Sequence, residues 1–327
     1  MPRALIEERD IRYGMGGDVP LLLDILRPTD TTGPRPAVIY VHGGGWGNGE
    51  RWPNPNELLA MAGFVTASIS YRFRQQAIFP AQIHDVKAAI RFLRANAENY
   101  GLDPDRIGIW GHSAGGQLAA LAGTSGNVPG LEGECGSAGY SSRVQAVVPI
   151  SAPADFVRLA EIKVDVAANE MLGGSPQDAP HNNRLASPTT HIDHHAPPFL
   201  IVHGNADDVV PFDQATLLRD ALHRAGCDAT LLELADVDHD VFDPAIAPAG
   251  SMRDHIVSFF LATLGPLGSA DQSLQASTCL PEGTTVSSPL PIQDTVPFAP
   301  AGQGRFRARS VQRCAGTSSA VNDFPAR

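Results

Sequence analysis

The chain has 327 residues, of which 43% are hydrophobic, and a formal net charge of −11 at pH 7. This charge argues against nucleic acid or an anionic membrane as a partner, because either would need a basic face. No segment approaches the run of about 18 apolar residues that a membrane-spanning helix requires.

The first residues and the cysteines bear on location and on metal binding. Residues 3–12 carry six charged side chains and no apolar segment, so we expect no secretory signal. The four cysteines are scattered without C-x-x-C spacing, which is typical of reduced thiols and is not a metal signature. We therefore expect a cytoplasmic protein with no metal and no other cofactor.

Strands and helices alternate along the chain. A Gly-rich hairpin arm is predicted at 13–18, and apolar runs predict strands at 21–26, 37–41, 64–69, 107–110, 146–150, 199–202 and 229–234. Apolar spacings of three and four predict a helix at 83–97, and further helices are predicted after residue 113, at 213–225 and at 252–264. This order predicts an α/β fold with a mostly parallel, twisted sheet and helices on both faces.

Two segments depart from this alternation. Residues 155–197 show weak periodicity and a Gly-Gly-Ser-Pro break, which is typical of a lid or a pocket wall. In 265–327, 26 of the 63 residues are Ser, Pro, Gly or Thr, a composition that cannot bury enough apolar surface to offset the entropy of ordering. We therefore predict a catalytic domain at 1–264, with the small lid inserted in it, and a disordered tail at 265–327.

One stretch, residues 106–121, indicates the chemistry. A buried strand is predicted to end in Gly111-His112-Ser113-Ala114-Gly115, and small apolar residues after it predict a buried helix. This is a G-x-S-x-G motif with a strand before it and a helix after it, which holds a serine hydroxyl exposed on a sharp turn. The helix N-terminus beneath it favours a developing negative charge. Ser113 is therefore the predicted nucleophile.

A second glycine-rich loop follows the strand at 37–41. It reads His42-Gly43-Gly44-Gly45-Trp46, and three consecutive glycines expose backbone N–H groups that no side chain shields. Fixed N–H donors are what an oxyanion hole needs. Trp46 either lines a substrate pocket or packs beneath this loop, and the sequence leaves both alternatives open.

A serine hydroxyl is a weak nucleophile without a base, and the base needs a carboxylate to hold its tautomer. His239 follows the strand predicted at 229–234 and is the predicted base. Asp207 and Asp208 both follow the strand at 199–202. Chemistry alone leaves the choice between these two neighbouring carboxylates open.

Together, these motifs resemble those of the α/β-hydrolase superfamily, in particular the acetyl esterase/lipase group related to hormone-sensitive lipase and to bacterial feruloyl esterases. The resemblance extends over about residues 12–264 and implies the α/β-hydrolase fold. In the family the acid is the third residue after a His-Gly pair, which here is His203-Gly204 and selects Asp207. One departure is that the family's Gly-His-Gly around the base is here Asp238-His239-Asp240.

The resemblance also implies the oxyanion donors and the reaction. The family donates from the second and third glycines and from the residue after the serine, which here are Gly44, Gly45 and Ala114. The implied activity is that of a lipase-like serine carboxylic ester hydrolase, which acts through an acyl-enzyme on a small-molecule ester. The polar residues of the segment 155–197 favour short acyl or small aromatic groups, because a long acyl chain needs a wide apolar cover.

Three alternatives share this fold. An amidase such as an arylformamidase has a similar His-Gly-Gly-x-Trp motif, so the preference for esters over amides stays open. A peptidase of the prolyl oligopeptidase type is disfavoured, since we expect no large domain before the hydrolase portion. A non-catalytic ligand-binding member is disfavoured because Ser113, Asp207 and His239 are all present. The sequence predicts neither the natural substrate nor the oligomeric state.

Overall fold

A single sheet of eight strands organises the part of the chain that the structure, a computed structural model, describes: residues 3–30, 33–52, 55–242 and 249–265. The strands are β1 Leu5–Gly16, β2 Val19–Pro28, β3 Arg35–Val41, β4 Val65–Ile69, β5 Leu102–His112, β6 Ala146–Ile150, β7 Phe199–Gly204 and β8 Ala229–Leu234. Their order across the sheet is β1-β2-β4-β3-β5-β6-β7-β8. The pairs β1/β2 and β2/β4 are antiparallel, and every other neighbouring pair is parallel.

Helices cover both faces of this sheet. They are α1 Glu57–Ala62, α2 Ala81–Ala95, α3 Ala97–Tyr100, α4 Ala114–Thr124, α5 Phe156–Ile162, α6 Val166–Leu172, α7 Pro180–Ala186, α8 Asp213–Arg224 and α9 Ala249–Leu264. Alternate residues of a strand point to opposite faces, so Ile39 packs in the core with α2, α4 and α8. Its neighbour Val38 packs in a second core with α1 and α9. The predicted α/β-hydrolase architecture is confirmed.

The N-terminal part of the sheet differs from the prediction. Strand β1 begins at Leu5, whereas the sequence predicts only an arm at 13–18. The charged residues before Tyr13 are compatible with a strand because β1 lies at the edge of the sheet, where their side chains reach water and ion-pair partners. Glu8 pairs with Arg27 at 3.0 Å, and Asp10 pairs with Arg51 at 2.7 Å. The six-residue helix α1 was also not predicted.

The inserted segment 155–197 is largely helical, although its weak periodicity predicts no helices there. It contains α5, α6 and α7, each seven residues long and too short for a clear apolar period. Asp155 caps α5 by accepting the Arg158 N–H at 3.0 Å. Asp165 caps α6 by accepting the Ala168 N–H at 3.0 Å. Aspartate is a preferred residue at helix N-termini, so both caps are signals that the sequence contains.

Two further points concern the ends of the fold. None of the described helices is both long and apolar enough to cross a membrane. The tail predicted at 265–327 lies outside the described residues, except for Gly265.

Candidate active site

The turn between β5 and α4 holds Ser113 in backbone geometry that few residues adopt. Its φ of 55° and ψ of −120° lie outside the ordinary regions for a side chain with a Cβ. The Ser113 N–H donates to the Ile150 carbonyl at 2.8 Å, which ties the turn to β6. A Cβ at Gly115 would overlap the Val41 carbonyl, and one at Gly111 would overlap the Gly115 backbone. The sharp turn can therefore close only with glycine at these two positions.

Three predicted residues from distant parts of the chain meet at this turn. His239 Nε2 lies 3.0 Å from Ser113 Oγ, and His239 Nδ1 lies 2.8 Å from Asp207 Oδ2. The side chain of Asp208 is exposed and makes none of these contacts. The geometry therefore brings together Ser113, His239 and Asp207, the arrangement in which an imidazole accepts a hydroxyl proton and a carboxylate fixes its tautomer.

The Asp207 carboxylate is buried and fully partnered. Its Oδ1 accepts the N–H groups of Val209 at 2.9 Å and Val210 at 2.7 Å. His203 Nε2 lies 3.3 Å from Oδ2. Burial alone would raise the pKa of Asp207, but hydrogen bonds from His203, His239 and the Val210 amide outweigh burial and hold this pKa well below its usual value. The carboxylate is therefore ionised and accepts the Nδ1 proton of His239.

The histidine inside the G-x-S-x-G motif links the turn at Ser113 to the loop that carries His239. His112 Nε2 lies 3.0 Å from the His239 carbonyl, and a carbonyl only accepts, so this nitrogen carries the proton. Burial, and then the neighbouring His239, lower the pKa of His112 to about 4. His112 is therefore neutral near pH 7 and adds no positive charge beside His239.

Residues 43–48, named the oxyanion loop after the donors predicted in them, form a tight turn after β3. Gly44 has φ 105° and Gly45 has φ 54°, conformations that favour glycine. The Gly44 carbonyl accepts the N–H groups of Gly47 at 3.0 Å and Asn48 at 3.2 Å. Because a peptide unit is planar, these bonds also fix the direction of the Gly45 N–H.

This loop passes beside Ser113. A Cβ at Gly43 would lie 3.4 Å from the Ser113 Cβ. Within the described part of the chain, no group accepts a hydrogen bond from the backbone N–H of Gly44, Gly45 or Ala114. Fixed donors without a partner beside a nucleophilic hydroxyl are suited to stabilise an oxyanion.

Trp46 is buried beneath the oxyanion loop, with 2% of its surface exposed. Its indole N–H donates to Gln117 Oε1 at 3.0 Å, and its ring centroid lies 5.7 Å from that of Phe156 on α5. Gln117 in turn donates to the Ala186 carbonyl at 2.8 Å. Of the two alternatives for Trp46, this placement favours packing over lining a substrate pocket.

Among the described residues, no group of three or more His, Cys, Asp or Glu is placed to hold a metal ion.

Comparison with known proteins supports the same chemistry. The sequence model of the BD-FAE family matches residues 23–222. The chain is 35% identical to esterase LipQ of Mycobacterium tuberculosis over 272 residues, which cover 80% of this chain and 63% of LipQ. It is 36% identical to the probable carboxylic ester hydrolase LipM of the same organism over 230 residues, or 68% of this chain and 53% of LipM. The chain thus spans between half and two thirds of these curated relatives.

Solved structures of esterases share the fold along most of the chain. A truncated carbohydrate esterase from gut microbiota has 30% identity and a TM-score of 0.68, over 80% of this chain and 97% of its own. A thermophilic esterase from Thermogutta terrifontis has 26% identity and a TM-score of 0.66, over 81% of this chain and 93% of its own. Since the family model also covers more than half of the sequence, the chain belongs to the BD-FAE family of the α/β-hydrolase superfamily.

Proposed function

We propose that this chain is a serine carboxylic ester hydrolase that acts through an acyl-enzyme. The observation that carries the proposal is the chain of hydrogen bonds from Ser113 through His239 to Asp207, at 3.0 and 2.8 Å. Relatives named as esterases support the same reaction. The residue assignments rest on geometry: Ser113 is the nucleophile, His239 the general base and acid, and Asp207 the orienting acid.

In acylation, Ser113 Oγ attacks the ester carbonyl carbon while His239 Nε2 takes the hydroxyl proton. The carbonyl oxygen becomes an oxyanion, which the N–H groups of Gly44, Gly45 and Ala114 stabilise. When the tetrahedral intermediate collapses, the bond to the alcohol oxygen breaks. His239 gives its proton to that oxygen, and the alcohol leaves.

Deacylation repeats the sequence with water in place of the serine. His239 takes a proton from water, whose oxygen attacks the acyl carbonyl, and the same N–H groups stabilise the second oxyanion. Collapse breaks the bond to Ser113 Oγ, which recovers its proton from His239. The net reaction converts an ester and water into an acid and an alcohol and needs no cofactor.

We further propose that the preferred substrates are small-molecule esters with short acyl or small aromatic groups. Two solved structures of a Thermogutta terrifontis esterase, 27% and 26% identical to this chain, have propionate and butyrate bound. The polar residues within 155–197 point in the same direction, because each buried methylene contributes only about 0.8 kcal/mol and a long chain needs many apolar partners. The cytoplasmic location and the absence of a nucleic-acid partner rest on the sequence alone.

Chain length is the measurable part of this proposal. Across p-nitrophenyl esters from acetyl to dodecanoyl, we expect kcat/KM to be highest for acyl groups of roughly two to six carbons and to fall for longer ones. Initial rates at 405 nm, each below the solubility limit of the ester, give the profile. A kcat/KM for decanoate above that for acetate and butyrate would contradict the expected preference.

The same panel separates the ester and amide alternatives. Methyl ferulate tests a small aromatic acyl group, and N-formylkynurenine tests the amidase alternative. We expect the esters to be hydrolysed with the higher kcat/KM. Efficient hydrolysis of N-formylkynurenine with little ester hydrolysis would show that the chain is an amidase and not an esterase. The proposed roles of Ser113 and His239 would stay the same.

A further inference from the structure

The segment that follows β4 holds the oxyanion loop through hydrogen bonds to its backbone carbonyls. The backbone N–H of Arg74 donates to the Trp46 carbonyl at 2.7 Å. Arg74 Nη1 donates to the Gly45 carbonyl, and Gln75 Nε2 donates to the Gly47 carbonyl at 3.2 Å. Three successive carbonyls of the loop are therefore held by two neighbouring residues.

The same guanidinium also contacts the inserted helices. Arg74 Nε lies 2.7 Å from Glu170 Oε2 on α6, and the Arg74 side chain is only 20% exposed. The guanidinium packs directly against Gly47, where an added Cβ would overlap it. Helix α6 also lies close to the loop, because an added Cβ at Gly45 would be 3.5 Å from the Ala167 Cβ. Arg74 thus fills the space between the oxyanion loop and α6 and makes a polar contact to each.

External contacts matter here because the loop is rich in glycine. Glycine adopts many backbone conformations at similar energy, so a run of three does not fix the direction of its own N–H groups. The turn bonds to the Gly44 carbonyl fix the peptide unit that carries the Gly45 N–H. The bond from Arg74 to the Gly45 carbonyl fixes the next peptide unit, which carries the Trp46 N–H, and so restrains the loop directly after its two glycine donors. Donors that are already aligned stabilise an oxyanion more, because they need no reorganisation during the reaction.

We propose that Arg74 is a positioning residue for the oxyanion hole and that Glu170 holds its guanidinium in place. This rests on the proposed ester hydrolysis at Ser113. Arg74 acts through the loop and not on the reacting atoms. A planar guanidinium donates through Nη1 to the Gly45 carbonyl and through Nε to Glu170 at the same time, which a lysine ammonium at this position cannot reproduce with the same geometry.

The test compares Arg74→Met with the wild-type chain on p-nitrophenyl acetate. We expect kcat to fall by about tenfold, less than the loss of a whole oxyanion donor, with KM within about twofold. The affinity for a simple alkyl boronic acid, which forms a tetrahedral adduct with the serine, is expected to fall by about the same factor as kcat. The melting temperature is expected to stay close to that of the wild type.

Three variants sharpen the comparison. Arg74→Lys is expected to recover part of the activity, and Glu170→Gln to lose less than Arg74→Met. The matched control is Arg158→Met on α5, which removes an arginine paired with Glu161 at 2.7 Å but away from the oxyanion loop. This control is expected to leave kcat and boronic acid affinity unchanged.

The outcomes distinguish this inference from the proposed function. An active wild type with unchanged kcat in Arg74→Met would overturn the positioning role. So would a loss of kcat without a parallel loss of boronic acid affinity. If Arg74→Met does not fold, Arg74→Lys and Glu170→Gln decide the question by the same two measurements. A wild-type chain with no ester hydrolysis would overturn the proposed function, and this inference with it.

Discussion

Ser113→Ala is expected to abolish ester hydrolysis while leaving the fold intact. The Ser113 hydroxyl bonds to His239 at 3.0 Å and stands at the surface of the turn, so its removal leaves no cavity in the core. Without this oxygen no acyl-enzyme forms. We expect kcat to fall by about 10⁶-fold, the loss seen when the nucleophile of another serine hydrolase is removed.

Turnover of p-nitrophenyl acetate and the melting temperature together check this expectation. His239→Ala is expected to cost about as much as Ser113→Ala, because the triad acts as a unit. An organophosphate such as paraoxon adds a covalent readout, because an activated serine hydroxyl attacks its phosphorus and displaces p-nitrophenolate. Paraoxon is expected to raise the intact mass of the wild-type chain but not that of Ser113→Ala. Turnover within tenfold of the wild type would remove Ser113 from its role.

Asp207→Asn is expected to lower kcat by about 10⁴-fold through the wrong imidazole tautomer. The Oδ1 position accepts two backbone N–H groups, from Val209 and Val210, so an asparagine places its carbonyl oxygen there. Its amide NH₂ then faces His239 Nδ1 and donates to it. The imidazole must carry its proton on Nε2 instead, where it can no longer accept the proton of Ser113.

Asp208→Asn is the matched control for this change. Asp208 is the next residue along the same loop and its side chain is exposed, so the same substitution there is expected to change kcat by less than about threefold. Steady-state kinetics of both variants on one ester give the comparison. A large loss at Asp208 with a small loss at Asp207 would reverse the assignment of the acid.

The parts of the site that could be predicted from the sequence carry local signals. The glycines around Ser113 and the run at 43–45 are required by backbone geometry at those positions, so their spacing is visible without a structure. The candidate base and the candidate acid each follow a strand, and this placement indicated His239 as the base and either Asp207 or Asp208 as the acid. Choosing between those neighbours needed either a family pattern or the observed bond between Asp207 and His239.

The parts that could not be predicted depend on contacts between distant residues. Arg74 and Glu170 are 96 positions apart, and neither belongs to a motif. The bond from His112 to the His239 carbonyl spans 127 positions, so no local pattern indicates that a histidine inside the G-x-S-x-G motif holds the loop that carries His239. The helices α5, α6 and α7 were missed for a different reason, since seven residues are too few for an apolar period to register.

The lowered pKa of His112 makes the free energy of unfolding depend on pH at this site. Its pKa is about 4 in the folded chain, against 6.5 for an unperturbed histidine. Well above pH 6.5 the ring is neutral in both the folded and the unfolded chain and contributes nothing to the pH dependence. As the pH falls from 6.5 towards 4, the unfolded chain takes up a proton that the folded chain does not, so the free energy of unfolding decreases, by at most about 3 kcal/mol.

As the pH falls, acid therefore protonates His112, which holds the His239 carbonyl, before it protonates the carboxylate of Asp207, whose pKa is lower still. Urea unfolding at pH 7 and pH 5 measures the effect. His112→Gln keeps an N–H donor for the His239 carbonyl but does not titrate, so it is expected to lose less stability over this interval than the wild type. Equal losses would show that His112 is not the linked group. One imidazole inside the G-x-S-x-G motif is thus a group through which acid weakens the fold at the very turn that presents Ser113.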